Sequence, residues 1–169
     1  ASVASLLGQP SPSALYGQLE SRSVPYELAT SGTSGRPAIV EVYSHRCPVC
    51  ERTAPRALEV LDHHSKDLNW VMLDGEDPRN SDIIMNLRVD SIPHFVFYDE
   101  HGEIKGEAVG DVPESVLEDN ARALTLKEEE LPRPQFARCD NAEEELRRMR
   151  VMSALRKIQK AEYRGGESL

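Results

Sequence analysis

The sequence predicts an α/β domain in which a central mixed sheet is flanked by helices, with an N-terminal arm and a C-terminal helical extension. Strand-like and helix-like segments alternate between residues 38 and 124, and this order is typical of a sheet covered by helices on both faces. Within it, one apolar strand ends in two cysteines at the start of a helix, and another strand begins directly after a proline. These observations predict both the fold class and the place of a reactive site.

The strand that leads to the cysteines spans residues 38–43 and carries a single carboxylate, Glu41. It is rich in β-branched residues, as a short interior strand should be. Apolar residues then recur at helical spacing from residue 51 to residue 63, so a helix follows the strand. Cys47 lies at its first turn, where unsatisfied backbone N–H groups and the helix dipole favour the thiolate. The local order is therefore strand, Cys-x-x-Cys, helix.

A Cys-x-x-Cys motif alone also fits half of a zinc site, so the rest of the chain has to decide between the two. Pro93 lies 43 residues after Cys50 and directly before an apolar run. Because proline cannot donate a hydrogen bond within a sheet, this position predicts a special turn with a cis Ile92–Pro93 bond. The other predicted elements are strands at 68–73, 94–98 and 103–109, helices at 80–87 and 113–124, and a hairpin at 99–102.

Residues 38–124 resemble a thioredoxin domain. Cys47 and Cys50 match the dithiol of that family, and Pro93 matches the cis-proline beside it. Glu41 falls where the family keeps a buried acid. The resemblance implies a thioredoxin fold and thiol–disulfide exchange with protein substrates, without a cofactor.

Five short segments extend the resemblance to thioredoxin-like proteins of the TxlA type, which belong to cyanobacterial and plastid thylakoids. They are SVPYE at 23–27, GRP at 35–37, VEVY at 40–43, NWVML at 69–73 and IPHF at 92–95. Proteins of this type are membrane-anchored, face the lumen, and are associated with reducing lumenal targets and assembling photosynthetic complexes. The resemblance thus implies a plastid thylakoid protein on the lumenal side, peripheral to the membrane in the form given.

The same resemblance assigns roles to the site residues. Cys47 attacks as the more exposed thiolate, and Cys50 resolves the mixed disulfide. Glu41 takes the proton of Cys50, since a buried carboxylate without a charge partner has a raised pKa. A solvated strand position is the alternative for Glu41. Ile92 and Pro93 contribute to binding the target.

The site departs from ordinary thioredoxins beside the dithiol. Arg46 replaces the tryptophan before the first cysteine, and Met72 takes the place of a lysine that often pairs with the buried acid. We expect Arg46 to bind the target and to stabilise the Cys47 thiolate, because a cation about 4 Å away at an effective dielectric near 20 contributes a few kcal/mol. Alternatively, Arg46 points into solvent or toward an acid, and the dithiol is a relic.

The chain divides into an N-terminal arm at residues 1–37, a thioredoxin-like domain at 38–125, and a linker with a basic amphipathic helix at 126–169. Short helices are predicted in the arm at residues 12–20 and 25–30. The apolar residues of the arm, which are Leu6, Leu7, Leu15 and Tyr16, are interpreted as packing on the domain rather than as a partner contact.

A helix is predicted from residue 141 to residue 164, with an apolar residue at every third position from Leu146 to Ile158. Residues 147–164 carry seven basic side chains and one acid, a charge of +6, which leaves −15 for the rest of a chain whose total is −9. A basic amphipathic helix beside an acidic body suggests docking to a photosynthetic protein complex or an anionic membrane surface. Folding back onto its own domain is the alternative.

Several classes are disfavoured. A net charge of −9 argues against general affinity for nucleic acid. No apolar run approaches the roughly 18 residues of a spanning helix. We treat the chain from Ala1 as mature protein, and we expect that any membrane anchor of its relatives has been lost or removed.

A metal site built on His45 and the two cysteines lacks a well-spaced fourth ligand, and the pair His63-His64 adds none. Cys139 is expected to be a free thiol.

Two function classes remain. The first is a thiol–disulfide oxidoreductase, favoured by Cys47, Cys50, Pro93 and Glu41. The second is a structural subunit that uses the same fold to dock on a photosynthetic membrane complex such as a photosystem, with its cysteines idle or held as a disulfide. The changed residues beside the dithiol and the C-terminal extension favour this second class.

Overall fold

The computed structural model describes residue 8, residues 10–138 and residues 157, 160, 161 and 164. The helices are α1 (Pro12–Ser21), α2 (Tyr26–Thr30), α3 (Pro48–His64), α4 (Ser81–Asn86) and α5 (Glu114–Thr125), with a 3-10 turn at Pro78–Asn80. The strands are β1 (Ala38–Tyr43), β2 (Asn69–Asp74), β3 (His94–Tyr98), β4 (Ile104–Gly110) and β5 (Gln135–Arg138).

The five strands form one sheet in the order β2-β1-β3-β4-β5. The pairs β1–β2 and β4–β5 are parallel, whereas β1–β3 and β3–β4 are antiparallel. The sheet is therefore mixed, and the predicted fold class is confirmed. At one end of the sheet β1 and β4 finish and β3 begins, since Val42 pairs with His94 and His94 with Val109. We call this the dithiol end, because Cys47 follows β1 there.

The sequence does not predict strand β5, because its residues continue a polar, proline-broken linker. It pairs in parallel with β4, from Glu107 beside Gln135 to Gly110 beside Arg138. A close approach precedes it: a Cβ atom at Gly106 would lie 2.4 Å from the carbonyl oxygen of Pro134. Glycine at this position therefore lets the chain reach the sheet directly after the proline-rich stretch.

The core is centred on β1 and β3, whose residues are all buried, including Glu41. Strands buried on both faces read as continuous apolar runs, which explains why both were recognisable in the sequence. The arm contributes to this core through α1, since Tyr16 and Leu19 are 1% and 0% exposed. The interpretation of Tyr16 as a packing residue is thus confirmed, and Leu15 is half-buried against the same core.

The predicted C-terminal helix lies outside the described residues except at four positions, residues 157, 160, 161 and 164, which are helical and exposed. Cys139, Leu6 and Leu7 also lie outside the described residues. Within the part of the chain that is described, none of the helices has the length and hydropathy to cross a membrane.

Candidate active site

The two cysteines lie where β1 gives way to α3. Cys47 is the N-cap of α3, with extended backbone angles, and its Sγ accepts a hydrogen bond from the backbone N–H of Cys50 at 3.2 Å. Pro48 follows in the first turn, where the missing N–H of proline costs nothing. The predicted order of strand, Cys-x-x-Cys and helix is therefore present, and Cys47 occupies the helix N-terminus that favours a thiolate.

Both thiols are buried. Cys47 is 1% exposed and Cys50 is 0% exposed. Cys47 is therefore more exposed than Cys50 only by a very small margin, because its N-cap position gives it a backbone donor without giving it an opening to solvent. A target disulfide reaches Cys47 Sγ only if neighbouring groups move.

The predicted cis peptide bond is present between Ile92 and Pro93. The carbonyl oxygen of Ile92 lies 3.9 Å from Cys47 Sγ, so the proline turn is in contact with the dithiol as expected. Ile92 and Pro93 are themselves buried. The carbonyl of Pro93 accepts a hydrogen bond from the N–H of Gly110 at 3.0 Å, which ties this turn to the end of β4.

Glu41 lies on β1 with no exposed surface, and neither of its carboxyl oxygens has a hydrogen-bond partner among the described residues. The alternative of a solvated position is thereby excluded. Burial, and then the charge of Cys47, raise the pKa of Glu41 from 4.5 to about 8, while the side chain of Trp70 lowers it. Met72 is the residue opposite Glu41 on β2, so the neighbouring strand supplies no charge at that position.

Cys50 shares this pocket. Burial raises the pKa of its thiol well above the usual range, and the hydrogen bond with Cys47 and the charge of Cys47 raise it further, whereas the backbone of Ser44 lowers it. Cys50 is therefore a neutral thiol at neutral pH. A carboxyl group that titrates near pH 8 is well matched to take the proton of such a thiol.

Arg46 does not lie where the electrostatic expectation placed it. Its side chain is 80% exposed, and its Nε is 3.1 Å from Oε1 of Glu76. The alternative interpretation, that Arg46 points toward an acid, is the one observed. An exposed ion pair of this kind contributes only about 0–1 kcal/mol, so stabilisation of the Cys47 thiolate by Arg46 is much smaller than the sequence suggested.

A cluster from the arm, whose role is not predicted from the sequence, lies beside the loop that leads to Cys47. The ring of Tyr16 is 5.2 Å from that of Tyr43 and 4.8 Å from that of His45. Glu20 Oε1 accepts a hydrogen bond from the Tyr43 hydroxyl and is 2.7 Å from His45 Nε2. Tyr16 and Glu20 are four residues apart and so share one face of a helix, which is the signal that was available.

His94, the first residue of β3, was missed as well. It is 3% exposed, and its Nε2 is 3.6 Å from Oε2 of Glu107. Burial lowers the pKa of His94, although the charge of Glu107 opposes this. The ring is therefore a neutral group directly after Pro93.

The histidines considered for metal binding have carboxylate partners instead. His63 Nδ1 and His64 Nε2 are 3.2 and 2.8 Å from the two carboxyl oxygens of Glu118, and His45 contacts Glu20. Across residues 10–138, no group of three or more histidine, cysteine or acidic side chains is arranged to hold a metal ion.

Comparison with known proteins supports the same family. A sequence model of the thioredoxin family matches residues 26–123. The chain is 36% identical over 107 residues to a TxlA homolog, a thiol:disulfide interchange protein of Synechocystis, covering 63% of this chain and 58% of that protein. It is 32% identical over 114 residues to the chloroplastic thioredoxin-like protein HCF164 of Arabidopsis thaliana, covering 68% of this chain and 43% of that protein. The chain therefore spans about half the length of these relatives.

Solved structures agree on the fold. Mitochondrial thioredoxin 3 of Saccharomyces cerevisiae superposes with a TM-score of 0.50 at 20% identity, covering 58% of this chain and 88% of that one. At this identity the likeness concerns the fold alone. Because the family model matches residues 26–123, and the structure combines the mixed sheet with a Cys-x-x-Cys pair beside a cis-proline, the chain belongs to the thioredoxin family.

Proposed function

We propose that the protein is a thiol–disulfide oxidoreductase that exchanges disulfides with protein substrates through Cys47 and Cys50. The observation that carries this proposal is the Cys47–Cys50 pair at the N-terminus of α3, which contacts the cis Ile92–Pro93 turn. A buried carboxyl, Glu41, whose pKa is raised to about 8, interacts electrostatically with both thiols. Such an arrangement supplies a nucleophile, a resolving thiol and a base. Names of relatives that include "thiol:disulfide interchange protein" support the same chemistry.

The exchange runs in two steps. The Cys47 thiolate attacks one sulfur of the target disulfide, the target S–S bond breaks, and the released target thiolate is protonated. Glu41 then takes the proton of Cys50, and the Cys50 thiolate attacks Cys47 Sγ. The Cys47–Cys50 bond forms, the second target sulfur leaves with the electron pair, and the target is reduced while the protein is oxidised. Ile92 and Pro93 line the place where the target backbone binds, and Arg46 contacts it from outside.

Reduction of insulin disulfides by dithiothreitol tests this function. We expect the protein to accelerate the reaction, Cys47→Ser to abolish the acceleration, and Cys50→Ser to accumulate a mixed disulfide with the target. Cys139→Ser is the matched control, since it removes a thiol outside the pair and should leave the rate unchanged. Equal rates for the protein and its Cys47→Ser variant would refute the proposal.

A second candidate function is a non-catalytic subunit of a photosynthetic membrane complex, and the burial of both thiols favours it. A dithiol that is at most 1% exposed is poorly placed to meet a large target. Alkylation distinguishes the two candidates. If Cys47 of the native protein reacts with iodoacetamide only at the rate of global unfolding, the dithiol is structural; faster reaction means that local opening exposes it.

We also place the protein in the plastid thylakoid, on the lumenal side, where it docks through residues 141–164 to a photosynthetic complex or an anionic membrane surface. One relative is named as chloroplastic, and residues 147–164 carry a charge of +6 that salt should screen. Deleting residues 141–169 should abolish association with isolated thylakoids and leave insulin reduction unchanged. Association that persists after the deletion, together with a Tm lowered by several degrees, would assign the helix to the core of the domain.

A further inference from the structure

The hydroxyl group of Tyr16 is a buried polar group without a visible purpose in packing. The residue is 1% exposed, and its hydroxyl oxygen has no hydrogen-bond partner among the described residues. Leaving such a group unpaired costs about 1–3 kcal/mol, and folded proteins keep few of them without another use. The carboxyl group of Glu41 is buried and unpaired in the same way.

The fold brings these two groups to one pocket. Glu41 and Tyr43 are two residues apart on β1, so their side chains lie on the same face of the sheet. The Tyr16 ring stacks on Tyr43 and therefore covers the face that Glu41 occupies. Helix α1 also packs against α3, whose first turn holds Cys50. Tyr16 thus lies on the face of the sheet that Glu41 occupies, on a helix that packs against the helix of the resolving thiol.

Electrostatics agree with this placement. Burial raises the pKa of Tyr16 beyond its usual range, and negative charge on Cys50, Glu41 and Cys47 raises it further. The hydroxyl therefore stays protonated and available as a donor. Other titratable groups around it and its neighbour Tyr43 are Glu20 from α1, Asp74 from β2, Glu51 from α3 and His45 before α3. All of these stay in place when only the Tyr16 hydroxyl is removed.

We propose that Tyr16 is a positioning residue of the exchange reaction, whose hydroxyl turns toward the single negative charge that Cys50 and Glu41 share when the mixed disulfide is resolved. This inference rests on the function proposed above. A hydroxyl rotates to suit its acceptor, and hydrogen bonds to ionised acceptors are about twice as strong as neutral ones. Tyr16 lies before residue 26, where the match to the thioredoxin family model begins, so this residue comes from the arm and not from the matched region.

Reaction with 5,5′-dithiobis(2-nitrobenzoate) separates the two steps. Attack by Cys47 releases one thionitrobenzoate and forms a mixed disulfide; attack by Cys50 on Cys47 then releases the other. The rates of both phases are measured against pH for the wild type, Tyr16→Phe and Tyr26→Phe, all in a Cys139→Ser background. Tyr26→Phe is the matched control, because it removes another hydroxyl of the arm, one that is 2.9 Å from the Tyr98 hydroxyl.

We expect Tyr16→Phe to raise the pH midpoint of the second phase by about one unit and to slow that phase about tenfold below the midpoint. The first phase and the Tm should change little, since the ring remains in place, and Tyr26→Phe should behave as wild type. Coincident second-phase profiles for Tyr16→Phe and wild type, or an equal shift in Tyr26→Phe, would overturn the inference alone. Absence of the first phase in the wild type would overturn the proposed function, and this inference with it.

Discussion

Glu41 on the inner side of the dithiol and Arg46 on the outer side are ionisable residues in opposite surroundings. On the inner side, Glu41 has no exposed surface and no hydrogen-bond partner in the described chain, and its pKa is raised to about 8. On the outer side, Arg46 is 80% exposed and paired with Glu76. A charge in the interior interacts through a low dielectric, whereas solvent and a counter-ion screen one at the surface. The difference shows that the interior, rather than the exposed flank, sets the acid–base behaviour of this site.

Replacing Glu41 with leucine should give the largest effect. The unfolded chain loses the Glu41 proton near pH 4.5 and the folded protein near pH 8, so ionisation lowers stability progressively as pH rises between these values. Glu41→Leu removes that loss. We expect the free energy of unfolding of the variant minus that of the wild type to be about 4 kcal/mol larger at pH 8.5 than at pH 4. Urea unfolding at both pH values measures this. An equal gain at both would show that Glu41 is ionised at an ordinary pKa.

A charge placed opposite Glu41 should have an intermediate effect. Met72 is half-buried and faces Glu41 across the β1–β2 pairing, so Met72→Lys brings an ammonium group to the pocket. We expect the pKa of Glu41 in the folded protein to fall by about one to two units. Because the unfolded-state pKa stays near 4.5, stability is then lost over a narrower pH range and the total loss is smaller. Unfolding measured from pH 4 to pH 9 detects the shift, and Met72→Leu is the control of similar size without a charge. An unchanged pH dependence in Met72→Lys would mean that the lysine turns to solvent.

Removing the outer charge should have the smallest effect. For Arg46→Ala we expect the midpoint of Cys47 alkylation against pH to move by less than about half a unit, because an exposed ion pair contributes only about 0–1 kcal/mol. Glu76→Ala is the matched control, since it leaves Arg46 without its counter-ion. If Arg46→Ala instead shifted the midpoint by a full unit, Arg46 would influence the ionisation of the site strongly despite its exposure, and the contrast between the inner and outer sides would be wrong.

The parts of the fold that the sequence revealed are those with a local signal. A few neighbouring residues are enough to recognise each of three features: the buried run of β1, the cysteines at the N-terminus of α3 and the proline before β3. Burial of Glu41 was implied by the resemblance to thioredoxins, with a solvated strand position as the alternative. The local features, together with this resemblance, were enough to predict a dithiol, a cis-proline and a raised pKa for Glu41.

What the sequence did not reveal depends on contacts between distant segments. Glu76, which follows β2, pairs with Arg46, and nothing near Arg46 in the chain marks it as a partner. Burial of Cys47 depends on the turn at Ile92. Strand β5 is four residues long and has no alternating pattern, so its pairing with β4 decides its conformation.

The position of β5 has a consequence for the rest of the chain. Its last residue, Arg138, pairs with Gly110, whose N–H is bonded to the carbonyl of Pro93. The polypeptide therefore leaves the sheet at the dithiol end, three strand spacings or roughly 15 Å from β1. A partner that bound the residues after Arg138 would be held to the domain by a tether that begins at the dithiol end, and a short flexible tether raises the effective concentration of a partner to about the millimolar range. Weak affinity for a disulfide target would then suffice, because the C-terminal segment would keep the target near the thiols between encounters.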